Sequence, residues 1–251
     1  MKYEKLKQKW IAEEQNAFYG WDFSHIAGRY EEGKLPWDYK EIVLKHLANT
    51  DTLLDMGTGG GEFLLSLNHP YSLTSITEAY EPNVQLCKNT LEPLGITVAQ
   101  VYDDTLPFED SSFDIVINRH ESFDAGEVHR ILKNNSFFIT QQVGGMNNAD
   151  ISKRLSDDYN PPYIHHNLAN NISQMKKAGF EIEYADECFI TTKFFDVGAF
   201  VYFAKIIEWE FPEFSVEKHF DKLCEFQREI EQKGYITSTE HRFIIAAKKA
   251  D

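Results

Sequence analysis

The sequence predicts an α/β fold, a seven-stranded and mostly parallel sheet with helices on both faces, preceded by an N-terminal helical cap and interrupted by one long insertion. Three observations predict it. Short apolar runs alternate with helical stretches through the chain, the pattern of a parallel sheet covered on both sides. The run Leu53-Leu54-Asp55-Met56 breaks into Gly57-Thr58-Gly59-Gly60-Gly61, so a buried strand ends in a carboxylate and a glycine turn. A second run, Ser72-Leu73-Thr74-Ser75-Ile76-Thr77, ends in Glu78, at the distance of one strand-helix-strand step.

Taken in order, strands are expected near Thr52–Met56, Leu73–Thr77, Thr97–Val101, Phe113–Asn118, Ser136–Gln142, Phe180–Ala185 and Phe243–Lys248, with helices between most of them. Pro82 opens the helix that runs to Leu91. Residues 1–48 precede the first strand and hold Trp10, Phe18, Tyr19, Trp21, Phe23, Tyr30, Trp37 and Tyr39, a dense aromatic set that predicts a helical cap. Residues 49–251 form the main domain. Within it, residues 188–234 are an insertion with a buried helix over 196–209 and a second helix from Ser215, as N-cap, to Gly234. Insertions of this length in compact domains usually serve as lids or binding walls.

The glycine turn predicts a nucleotide-type cofactor. Gly57, Gly59 and Gly61 let the backbone turn sharply and let a ligand approach main-chain atoms. A dinucleotide fingerprint would need glycine where Glu62 stands, because its pyrophosphate sits over the helix N-terminus. A carboxylate there repels pyrophosphate. S-adenosylmethionine (SAM) carries no phosphate, so the spacing favours it, with Asp55 facing its cationic amino-acid end and Glu78 accepting hydrogen bonds from both ribose hydroxyls.

Further on, Asp103-Asp104 precede Leu106-Pro107-Phe108, and Phe113-Asp114 open another strand. With the glycine turn and Glu78, this ordered set resembles the class I SAM-dependent methyltransferases, and within them the small-molecule group similar to the ubiquinone and menaquinone biosynthesis enzymes. Glu127-Val128-His129-Arg130-Ile131-Leu132-Lys133 resembles the family's helix before strand five, although the usual Pro-Gly-Gly turn is Asn134-Asn135-Ser136 here. The resemblance spans about residues 50–145. It implies a Rossmann-like sheet of order 3-2-1-4-5-7-6 with the seventh strand antiparallel. It also implies that Asp103 or Asp104 binds the adenine amine.

Composition restricts the partners. A net charge of −15 disfavours a nucleic-acid substrate, since such binding draws on a basic face. Cys87, Cys188 and Cys224 are odd in number and have no C-x-x-C spacing, so neither a disulfide framework nor a metal site is expected. The charged start and the lack of an apolar run of ~18 residues predict no membrane span and a cytoplasmic address. A small-molecule substrate is expected. The sequence leaves oligomeric state open.

For chemistry, His120 is the candidate base, because it follows strand four and its ordinary pKa suits proton removal. A structural histidine is the plainer alternative. Glu121, Gln141, Gln142 and His165-His166 are weaker candidates than His120, and Trp21, Phe23, Trp37 and Gln141 are candidate acceptor-pocket residues. Asn160-Pro161-Pro162-Tyr163 reproduces a signature of amino-methyltransferases, but it lies after strand five where the signature works at strand four. The sequence therefore predicts methyl transfer from SAM to a small molecule. The alternatives are a non-catalytic SAM-binding protein and a nicotinamide-dependent oxidoreductase.

Overall fold

The computed structural model describes residues 2–18 and 23–250. Among the described residues eight strands form one sheet: β1 (Tyr30–Glu31), β2 (Leu53–Met56), β3 (Thr74–Glu78), β4 (Thr97–Gln100), β5 (Phe113–Arg119), β6 (Leu132–Val143), β7 (Phe180–Phe194) and β8 (Ile236–Lys249). Their order is β1-β7-β8-β6-β5-β2-β3-β4. The expectation of seven strands is corrected by the two-residue β1, which pairs antiparallel with β7 and places Tyr30 against Phe194. The other seven follow one another across the sheet as the resemblance implied, with β8 antiparallel to β6.

Three strands are longer than the apolar runs suggested. β6 begins at Leu132, β7 continues to Phe194 and β8 begins at Ile236. In β7 the residues past 185 alternate in exposure. One-sided strands of this kind carry polar residues on alternate positions and lack the continuous apolar run of a buried parallel strand.

Contacts divide the chain into two compact units. The first comprises Met1–Leu35, Gly144–His165 and Cys188–His241; the second comprises Pro36–Val143, His166–Glu187 and Arg242–Asp251. The aromatic N-terminal segment and the insertion thus share a unit with residues 144–165. Residues 36–48, expected in the cap, belong with the sheet unit.

The first unit is built round the helix Val197–Ile206, buried from Val197 through Ala204. Asp196 caps it by accepting from Ala199 N–H at 2.9 Å, and the same carboxylate takes a bidentate pair from Arg29 at 2.8 and 2.7 Å. Phe200 meets Phe194, Phe211 and Phe226 edge-on at 5.4–5.6 Å, a favoured ring geometry. Ser215 caps the helix Val216–Lys233, and Gly234 ends it at φ 89°, as expected of this residue pair.

In the second unit β2 pairs in parallel with β3 on one side and β5 on the other. The chain winds outward one way through β4 and the other way through β6. The carboxyl ends of β2 and β5 therefore flank a topological switch point, where open α/β sheets bind ligands. Leu54, Met56, Val116 and Phe138 fill the core beneath.

Candidate cofactor and active site

A cavity of about 120 Å³ lies at those carboxyl ends, lined by Met56 and Gly57 after β2, Thr77–Ala79 at β3, Val101–Asp104 and Leu106 after β4, and Glu121–Ser122 after β5. The sequence-predicted Gly57, Glu78, Asp103 and Asp104 meet there. Among the described residues, four of the lining side chains are carboxylates and none carries a positive charge.

Asp55 is buried at the end of β2. Burial raises its pKa to about 7, opposed by the Thr58 hydroxyl, which donates to it at 2.6 Å, and by Arg119. The Arg119 guanidinium itself stacks 4.7 Å from the Phe63 ring. Gly57 has φ 66°, and a Cβ there would lie 2.5 Å from the Glu121 side chain, so glycine is required both by conformation and by space. Gly61, at φ 85°, precedes the helix Glu62–Ser66. A Cβ on Gly60 would meet the Glu62 carboxylate, so this acid folds back over the glycine turn.

Glu78 is buried and organises the turn. Its Oε2 accepts from Gly59 N–H at 2.9 Å, while Oε1 accepts from Ala79 and Tyr80 N–H at 2.9 and 3.0 Å. A carboxylate offers about four acceptor sites. Three are used here, which leaves Oε2 room for one further hydroxyl, whereas the sequence reading assigned both ribose hydroxyls to this side chain.

The loop after β4 is held from the helix Ala125–Ile131. Leu106 N–H donates to Glu127 at 3.0 Å, and Arg130 donates to the Leu106 and Phe108 carbonyls at 3.0 and 2.8 Å. The Arg130 hydrogen bonds, then Leu106 N–H, hold the Glu127 pKa down at about 2. Glu127 and Arg130 thus brace the loop that carries Asp103 and Asp104. Asp103 accepts from Thr105 N–H at 2.8 Å, and Asp104 accepts from the Ser122 hydroxyl at 3.1 Å. Both line the cavity.

His120 follows β5 with φ 66°, an uncommon conformation for a side-chain-bearing residue. Its N–H donates to the Gln141 carbonyl at 2.8 Å. Trp37 Nε1–H donates to Gln141 Oε1 at 2.8 Å, and Gln141 Nε2 lies 3.2 Å from His120 Nε2. The structure thus brings Trp37, Gln141 and His120 together. Phe23 lies in the first unit, 5.1 Å from Phe18 and 5.7 Å from Phe203 between ring centres. Trp21 lies outside the described residues.

Apart from Gln142, a weaker candidate from the sequence, the buried polar groups behind the strand ends were passed over by sequence reasoning. Tyr39 donates its hydroxyl to the Asn118 carbonyl at 3.0 Å. Asn118 Oδ1 accepts from Thr140 and from Gln142, and Gln142 also donates to the Glu121 carbonyl at 3.0 Å. This network fixes the chain at Glu121. Runs of polar residues inside predicted buried strands, Asn118 and Thr140 to Gln142, were the available signal. Tyr102, largely exposed at the cavity edge, carried no such signal. Asn160 lines a separate cavity of about 400 Å³ within the first unit.

Comparison with known proteins bears on the fold. Residues 54–140 match the family model for a methyltransferase domain, a span that contains every predicted cofactor residue and His120. No curated protein matches the chain in sequence. Among solved structures, the fold is similar to that of a Bacillus halodurans C-125 protein described as a candidate methyltransferase, at 16% identity and a TM-score of 0.55, covering 85% of this chain and 99% of that one. It is also similar to a SAM-dependent methyltransferase from Methanosarcina mazei, at 16% identity and a TM-score of 0.51, covering 87% and 99%. The [4+2]-cyclase SpnF matches at 16% identity and a TM-score of 0.52, covering 99% and 97%. The shared property is a Rossmann-like α/β fold.

Proposed function

We propose that the chain binds SAM in the cavity at the ends of β2–β5 and transfers its methyl group to a small-molecule acceptor by in-line displacement. The observation that carries this reading is the charge of the cavity: carboxylates of Glu78, Asp103, Asp104 and Glu121 line it without a cationic side chain. Glu62 folds over Gly60 where a pyrophosphate would sit. That environment suits a cationic sulfonium and opposes a dinucleotide.

The residues present fit this cofactor. Gly57 lets the backbone turn sharply with Glu121 packed against it, Asp55 lies beneath the turn to oppose the ammonium, Glu78 offers one remaining acceptor site to the ribose, and Asp103 or Asp104 accepts from the adenine amine. When bound, SAM supplies a methyl group already activated by the sulfonium. The protein's part is alignment and the exclusion of water. The acceptor is a small molecule, and the ubiquinone-like grouping in the sequence belongs to this proposal. Fold alone does not fix chemistry, as the similarity to a cyclase illustrates.

Calorimetry with SAM, its demethylated product and NAD tests the cofactor. Binding of the first two without the third is expected, and Glu78→Ala should weaken it by about 1.5–3 kcal/mol, the range for hydrogen bonds to charged groups. NAD binding, or SAM affinity unchanged in folded Glu78→Ala protein, would overturn the site. Labelled SAM with amine, hydroxyl, thiol and carboxylate acceptors then separates an enzyme from a SAM-binding protein.

A further inference from the structure

The three side chains Trp37, Gln141 and His120 form a directional relay. Indole nitrogen can only donate, so the Gln141 atom 2.8 Å from Trp37 Nε1 is the amide oxygen. That assignment turns the amide NH₂ toward His120, 3.2 Å away. Two donors facing each other would leave an N–H of the buried Gln141 amide unpaired, at a cost, so His120 Nε2 accepts. A neutral imidazole that accepts at Nε2 carries its proton on Nδ1.

Neutrality has its own support. His120 keeps part of its surface exposed, while protein crowded around the ring, then the positive charges of Arg242 and Arg119, lowers its pKa below the ordinary value. Among the described residues, Nδ1 meets no hydrogen-bond partner. The backbone is held at φ 66°, anchored by the bond from His120 N–H to the Gln141 carbonyl. Residues kept in such conformations cluster at functional sites, and the next residue, Glu121, lines the cavity.

We propose that Trp37 and Gln141 are positioning residues that lock His120 as the Nδ1–H tautomer, so that it presents a hydrogen-bond donor beyond β5 and recognises an acceptor oxygen, such as a carboxylate or carbonyl, in place of removing a proton. The recognition role rests on the proposed methyl transfer, whereas the tautomer does not.

Long-range ¹H–¹⁵N correlation spectra of the full chain decide the tautomer, with the His120 signals assigned by their loss in His120→Asn. At neutral pH the wild type should show a protonated Nδ1 and an unprotonated Nε2. Gln141→Glu keeps an oxygen for Trp37 and puts a second oxygen against His120 Nε2, so the tautomer should invert or the ring become cationic. Trp37→Phe frees the amide to turn and should give a mixture.

An Nε2–H tautomer or a cationic ring in the wild type would overturn the proposal. So would a folded Gln141→Glu protein with the wild-type pattern. A parallel titration with SAM reads the amides of residues 55–104. Failure of SAM to shift them counts against the cofactor site and leaves the tautomer result standing, so the two readings fail separately.

Discussion

Replacing Asp55 with asparagine should abolish two pH trends that run in opposite directions in the wild type. Burial lifts the Asp55 pKa from 3.8 to about 7, so the folded protein holds a proton that the unfolded chain releases. The stability linked to that proton is complete below about pH 4 and is lost as pH rises through about 7. A rise of about three pH units corresponds to about 4 kcal/mol, at 1.36 kcal/mol for each. The introduced asparagine retains an oxygen for the Thr58 hydroxyl and has no charge to bury. Urea denaturation of the ligand-free proteins at about pH 4 and pH 8 should therefore show the wild type losing up to about 4 kcal/mol relative to Asp55→Asn.

SAM binding should behave in the opposite sense. If the ammonium of SAM needs an ionised Asp55, affinity is full above about pH 7 and falls about tenfold for each pH unit below it. Calorimetry at about pH 8 and pH 5.5 should show a loss of about 30-fold in the wild type and a much smaller one in Asp55→Asn. A variant that kept both wild-type pH trends would refute the assignment of the buried proton to Asp55 and its role beneath the cofactor.

Gly57→Ala should destabilise the protein more than Gly59→Ala, because both meet the positive-φ cost of about 1–2 kcal/mol but only the first also meets Glu121, at 2.5 Å; equal urea midpoints would refute the close approach. Arg130→Ala should release the loop after β4, speeding hydrogen exchange at the Leu106 amide and weakening SAM binding by about tenfold, comparable to one hydrogen bond to a charged group. Unchanged exchange would show that Glu127 braces the loop alone.

What the sequence determined by itself was the part of the site written in consecutive residues. A strand ending at Asp55, glycines forced by positive φ, and an acid one strand-helix-strand step away are local patterns, because turn geometry and strand ends are set by neighbours in the chain. Glu127 and Arg130 were legible only as a resemblance; the structure supplied their reason, hydrogen bonds to a loop about 20 residues earlier.

Tertiary structure decided the rest. Asp55 is acidic in any sequence, but its proton affinity comes from burial. Glu78 reads as a free clamp until three backbone N–H groups take most of its acceptor sites. The character of His120 depends on Trp37, which acts on it through Gln141, 104 residues further along the chain. Hydrogen-bond direction is set by which donors face which acceptors in space, and no local spacing encodes that choice.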